Sequence, residues 1–121
     1  MNPYLYIVGT IIFTVYGQII LKWRLGQKGV LPETLANKLI FLVNALLDPF
    51  IFSGFASAFI ASLFWMAAMT KFEITKAYPF MSLAPAIVLV VGVIFLNENL
   101  TIGKVVGLIF IFIGTIITAK L

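Results

Sequence analysis

Thr10, Thr14, Gln18 and Lys22 recur every fourth residue. On an α-helix that spacing stacks them along one slowly winding face. The face covers roughly 18 Å of depth at the helical rise and ends in a cation. Hydroxyls and an amide can hydrogen-bond a polar cargo, and an ammonium holds a phosphate as a point charge. Lipid gives such a face no partners, so it should look into a bundle or a polar cavity. The plainer alternative is hydrogen bonding between helices, with Lys22 reaching up to the headgroups.

Three further groups could carry chemistry. Lys22, Arg24 and Glu98 are expected at one end of the bundle, where two cations suit a phosphate and Glu98 could orient one of them or meet a cationic cargo; alternatively Glu98 is a solvated turn residue. Tyr78, Pro79, Ser82 and Pro85 open the third apolar stretch. Pro85 cannot donate to the Met81 carbonyl, which leaves a polar spot and a place to bend, or serves packing alone. Gly103, Gly107 and Gly114 line the last stretch, and Ser53, Ser57 and Ala61 the second; such spacing lets helices approach closely, and on the last stretch it marks a candidate contact between protomers.

Other chemistries are set aside by what the chain lacks. It has no cysteine and no histidine, which removes thiol nucleophiles, disulfides and the commonest metal and proton-relay ligands. Its four acids, Glu33, Asp48, Glu73 and Glu98, fall at helix ends or in links. No catalytic residue, metal or cofactor is expected, and the chain reads as a non-enzyme.

The elements that must hold these residues follow from hydropathy. Of 121 residues 63% are hydrophobic and 10% charged, more apolar surface than a soluble domain of this size can hide. The apolar runs predict an all-α integral membrane protein with four transmembrane helices at about 3–21, 50–70, 78–96 and 102–120, in a single transmembrane domain 1–121. The first run is read as a permanent span, because no basic segment precedes it. Residues 22–38 form the long link. Residues 35–47 are too short to span, and form either an interfacial amphipathic helix or an extension of the second span. Asp48-Pro49 and Thr101 suit helix starts. The short links after the second and third spans predict that spans two, three and four are antiparallel neighbours.

Basic residues 22, 24, 28, 38 and 104 fall on one side, and 71, 76 and 120 on the other with the amino terminus. That bias favours the first side as cytoplasmic. Four helices are too little protein to enclose a polar route, so a dimer is expected, with a second copy or a related four-helix subunit. The net charge of +4 reads as topology and lipid attraction rather than nucleic-acid binding.

Several motifs carry a resemblance. The opening MNPYLYIVG and Ala77-Tyr78 with Ser82 resemble small multidrug resistance proteins. Phe95-Leu-Asn-Glu98-Asn-Leu-Thr101 resembles the glutamate turn of the wider drug/metabolite transporter superfamily, EamA-like in its four-helix form. Gly17-Gln18-x-x-x-Lys22 and Ala77-Tyr78-Pro79-x-x-Ser82-Leu83 are most similar to the small subunits of the undecaprenyl-phosphate aminoarabinose flippase. The resemblance covers the first span and residues 76–119. It implies a small multidrug resistance-like bundle in the bacterial inner membrane that flips a polyprenyl-phosphate-linked sugar, with Thr14, Gln18, Lys22, Arg24, Tyr78, Ser82 and Glu98 around the substrate. The alternative is an exporter of small cationic or polar solutes. Against proton-coupled drug export, Thr14 stands where the multidrug proteins carry a membrane glutamate, and threonine does not titrate. Met81, Leu83 and Pro85 also depart from their third-helix signature. A third reading is a non-transporting subunit that stabilises a partner enzyme.

Overall fold

The structure is a computed structural model that describes residues 2–120; residues 1 and 121 of the expected domain lie outside them. Helix α1 (Tyr4–Lys28) is followed by α2 (Leu35–Leu46) and α3 (Pro49–Met69). A short α4 (Ile74–Ala77) runs through a 3₁₀ turn (Tyr78–Ser82) into α5 (Leu83–Phe95), and α6 (Ile102–Lys120) closes the chain. Four segments are long and apolar enough to cross a membrane: Tyr4–Lys28, Pro49–Met69, Ile74–Phe95 and Ile102–Lys120. Large side chains such as Phe59, Met66 and Phe110 stand exposed along them. The chain is an all-α, multi-pass membrane protein.

Helix α1 runs one and a half turns or more past the expected end near Leu21. Charge ends a membrane span, but it does not end a helix. Lys22, Arg24 and Lys28 favour helical backbone, and Lys28 in the last turn complements the helix dipole. The helix stops at Gly29, whose φ of 97° lies in the left-handed region. Segment 35–47 is a helix of its own rather than an extension of the next. Asp48 ends it: with Pro49 at the first helical position, the Asp48 carboxylate caps α3 by accepting from the Phe50 and Ile51 N–H groups at 2.9 and 3.4 Å. Thr101 Oγ1 caps α6 in the same way, accepting from Lys104 N–H at 3.2 Å.

The expected single helix at 78–96 is broken. Prolines at 79 and 85 remove two donors, and the Pro85 ring crowds the Met81 carbonyl, so residues 78–82 tighten into 3₁₀ geometry before the α-helix resumes.

Adjacency follows the expectation for the third and fourth spans, where α6 packs on α5 and the 3₁₀ turn, but differs for the second and third. The main packing is α1 against α3, and the second is α1 against α5; α3 and α5 scarcely touch along their lengths. Helix α1 therefore sits between the second and third spans. A short link fixes direction and end-to-end proximity, whereas side-by-side packing follows the surfaces. Here the small residues of α1 and α3 let their backbones meet. A Cβ built on Gly17 would lie 2.9 Å from the Gly54 carbonyl oxygen, and one on Gly54 would lie 3.2 Å from that of Gly17. Ser57 Oγ donates to the Phe13 carbonyl across the same seam at 2.6 Å, and Phe13 stacks on Phe64 at 5.6 Å.

Candidate functional site

The four-residue stripe lies on α1 as its spacing requires, but its members meet different surroundings. Thr10 is buried, with Oγ1 donating to the Tyr6 carbonyl at 2.8 Å. Thr14 is half-buried, and Gln18 and Lys22 are exposed. Thr14, Gly17, Gln18 and Leu21 face Ile51, Gly54, Phe55 and Ala58 of α3 across a cleft of about 80 Å³. Gly17 and Gly54 create it, because helices in backbone contact diverge to either side of the crossing and leave a furrow there. Pockets that enclose drug-sized ligands run to roughly 300–1,000 Å³. The cleft offers a polar edge to a cargo and cannot by itself surround a sugar.

Arg24 is placed unlike the expectation. Its Nε donates to Asp48 Oδ2 at 2.9 Å, and its Nη1 donates to Gln27 Oε1 at 2.6 Å. Its guanidinium lies over the Phe50 ring at 5.1 Å and the Trp23 ring at 5.8 Å. Trp23 meets Phe50 edge-on at 5.4 Å. Lys28 Nζ joins the same Asp48 oxygen at 3.2 Å. This knot ties the end of α1 to the α2–α3 break. Sequence reasoning took Asp48 for a helix cap only. The missed signal was Arg24 and Lys28, four residues apart on one helical face, with an acid at the start of a neighbouring helix. Asp48 stands ahead of the spanning segment and is 8% exposed. Burial alone would raise its pKa. The Arg24 and Lys28 contacts, with the Phe50 and Ile51 N–H groups, outweigh that and hold it at about 2.

Glu98 makes no ion pair with Lys22 or Arg24 among the described residues. It folds back on the end of α5. Asn97 takes a left-handed φ of 56°, the Glu98 N–H donates to the Gly92 carbonyl at 3.2 Å, and the carboxylate rests against Gly92. Lys104 is likewise occupied, with Nζ donating to the Asn99 carbonyl at 2.6 Å. Of the three charges expected to cluster, Lys22 and Glu98 have no ion-pair partner within the described residues, and Arg24 pairs with Asp48 instead.

Tyr78 and Ser82 lie toward the opposite end of the bundle. The 3₁₀ turn packs beside the start of α1, where the Tyr4 ring lies 5.0 Å from Phe72 and 6.0 Å from Phe80. Lys22 is about 27 Å further along the α1 axis at the helical rise. Tyr78 meets Trp65 edge-on at 6.1 Å. The structure therefore separates the third-span motif from Lys22 by most of a membrane thickness. Helix α6 reaches that turn through Thr115, whose buried hydroxyl lies 3.1 Å from the Pro79 carbonyl and 2.9 Å from that of Ile111. Gly107 and Gly114 of α6 have nothing within 4 Å, and Gly103 meets only Thr101 Oγ1 at 3.9 Å. No cluster of metal-ligating side chains occurs among the described residues.

Comparison with known proteins follows the same lines. The profile of the EamA-like transporter family matches residues 1–120. A probable 4-amino-4-deoxy-L-arabinose-phosphoundecaprenol flippase subunit ArnF of Aeromonas salmonicida is 33% identical over 119 residues, covering 97% of this chain and 78% of its own length. The protein of the same name from Aeromonas hydrophila is 30% identical over 119 residues, 97% and 79% of the two chains. That of Serratia proteamaculans is 24% identical over 116 residues, 94% and 89% of the two chains. No solved structure matches.

Proposed function

This chain belongs to the EamA-like transporter family, and from that premise we propose that it is a flippase subunit moving a polyprenyl-phosphate-linked sugar across the bacterial inner membrane. The observation that carries this reading is the α1 stripe. Thr14 and Gln18 edge the cleft against α3, and one helical turn beyond Gln18 stands Lys22, without an ion-pair partner among the described residues. A hydrophilic headgroup needs such an edge, and the phosphate needs such a cation. The names of the relatives support the substrate class.

In this mechanism Lys22 holds the phosphate at the cytoplasmic face. Arg24 keeps its remaining guanidinium nitrogen for the same phosphate, while Asp48 and Gln27 fix its plane. The sugar passes Thr14 and Gln18, then Tyr78 and Ser82 in the other half of the membrane. Glu98 meets an amino group on the sugar. The polyprenyl tail stays in lipid, so the path opens sideways. A cleft of about 80 Å³ leaves this path incomplete in one copy, and a related four-helix subunit or a second copy completes it. The uncovered Gly103, Gly107 and Gly114 face of α6 serves as the contact between protomers. The relatives are named as flippase subunits, which supports a partner.

The exporter alternative needs a titrating group within the membrane, and the described spans hold Thr14 at the matching place and no acid. Reconstitution in liposomes with a labelled polyprenyl-phosphate sugar tests the proposal. The label appears in the opposite leaflet with the intact protein and its partner. Normal flipping by a Lys22→Ala protein removes the phosphate role assigned to that residue.

A further inference from the structure

At the membrane face opposite Lys22, the link between α3 and α5 and the end of α6 border a second, open polar hollow. It measures about 330 Å³ and is lined by Glu73, Thr75, Lys76, Thr118, Ala119 and Lys120. The hollow beside Ile12, Phe13 and Ile60 and that beside Leu89, Val93 and Leu108 have, by contrast, an almost wholly apolar lining. This one gathers two ammonium groups from separate elements. Neither lies within ion-pair distance of a carboxylate among the described residues, Glu73 included. Thr118 Oγ1 gives its proton to the Gly114 carbonyl at 2.9 Å, and its lone pairs remain for a donor.

We propose that this space is a second phosphate-group site, placed to receive a phosphorylated headgroup on the far side of the membrane from Lys22. The inference rests on the carrier-lipid reading for its role, but its chemistry stands on the pocket itself. Two cations bordering one polar hollow, neither paired with a carboxylate among the described residues, attract a phosphate. Glu73 beside them leaves an acceptor for an amine borne on the same headgroup. The volume matches a headgroup, whereas the cleft beside Thr14 does not. Between the two faces the spans carry no cation. A phosphate leaving Lys22 therefore meets no compensating charge until it reaches Lys76 and Lys120, and a cationic terminus there lowers the end of the path rather than its middle.

The test uses the full chain in detergent, with any subunit that co-purifies, in a Lys22→Gln background so that the first site is silent. Four probes are titrated: inorganic phosphate, a short-chain polyprenyl phosphate, a short-chain phosphatidylethanolamine, and the neutral short-chain polyprenol. Lys76→Gln with Lys120→Gln is expected to weaken binding of the phosphate-bearing probes at least about tenfold, the size of one lost charge-assisted hydrogen bond. The neutral polyprenol should be unaffected, and arginine at both positions should restore binding. The same loss with inorganic phosphate identifies a site for a free phosphate group; loss confined to the lipid probes identifies a headgroup site, and both support the proposal. Unchanged binding in the double variant, or equal binding of polyprenol and polyprenyl phosphate, overturns it. The readout is binding, not flipping. Normal flipping by Lys22→Ala would count against the carrier-lipid mechanism and leave this site standing.

Discussion

Arg24 Nε lies 2.9 Å from Asp48 Oδ2. That one contact joins the end of α1 to the start of α3 and makes Arg24 part of the scaffold as well as a neighbour of Lys22. Lys28 reaches the same oxygen, and the other Asp48 oxygen caps α3. The carboxylate therefore serves two helices at once, and the cation nearest the cleft, Lys22, is left for a ligand.

Two substitutions separate the roles of Asp48. Asparagine caps helices about as well as aspartate but carries no charge. Asp48→Asn should therefore lower thermal stability, and Asp48→Ala should lower it further. Equal melting temperatures for the two would show that the cap contributes nothing.

The pH dependence of this contact has a defined sign. The Asp48 pKa is depressed from 3.8 to about 2, so the folded state binds its proton less readily than the unfolded chain. Its contribution to stability is complete above pH ~4 and is lost as pH falls through about 2. Unfolding curves in detergent should show no Asp48-dependent change between pH ~5 and ~8. The difference between the parent protein and Asp48→Asn should shrink only in strong acid.

The Gly17–Gly54 crossing predicts the cost of a methyl group. Gly17→Ala places a Cβ 2.9 Å from a backbone oxygen that cannot turn aside. The resulting overpacking costs about 1–3 kcal/mol, against which alanine's helix propensity returns about 1. Net destabilisation of up to about 2 kcal/mol is expected in a reversible unfolding assay. Gly107→Ala, where nothing lies within 4 Å, should leave the fold of a single copy unchanged. If α6 is the contact between protomers, the same variant weakens association, which native mass spectrometry reads directly.

Thr115→Val removes the hydroxyl that links α6 to the Pro79 carbonyl while keeping the side chain's shape. Hydrogen bonds between membrane helices average about 0.6 kcal/mol and reach about 1.7. A loss in that range is expected in a reversible unfolding assay.

Lys22→Gln should cut flipping by at least about tenfold, the value of one charge-assisted contact, with insertion and helix content intact. A pH gradient should drive no uptake of a quaternary cation, since the described spans hold no titrating acid. Uptake that follows the gradient would revive the exporter reading.

The amino-acid sequence by itself determined what depends on neighbours along the chain. Hydropathy set four spans because only a continuous apolar run is stable in hydrocarbon. The four-residue period put Thr10, Thr14, Gln18 and Lys22 on one face, and the caps at Asp48 and Thr101 followed from short side chains next to helix starts. The tertiary structure alone decided which surfaces meet. It set α1 between α3 and α5, gave Arg24 to Asp48, and folded Glu98 onto Gly92. Local pattern cannot encode these outcomes. Ion pairs and backbone contacts join residues distant in sequence, and the choice among partners depends on which helix faces can approach most closely.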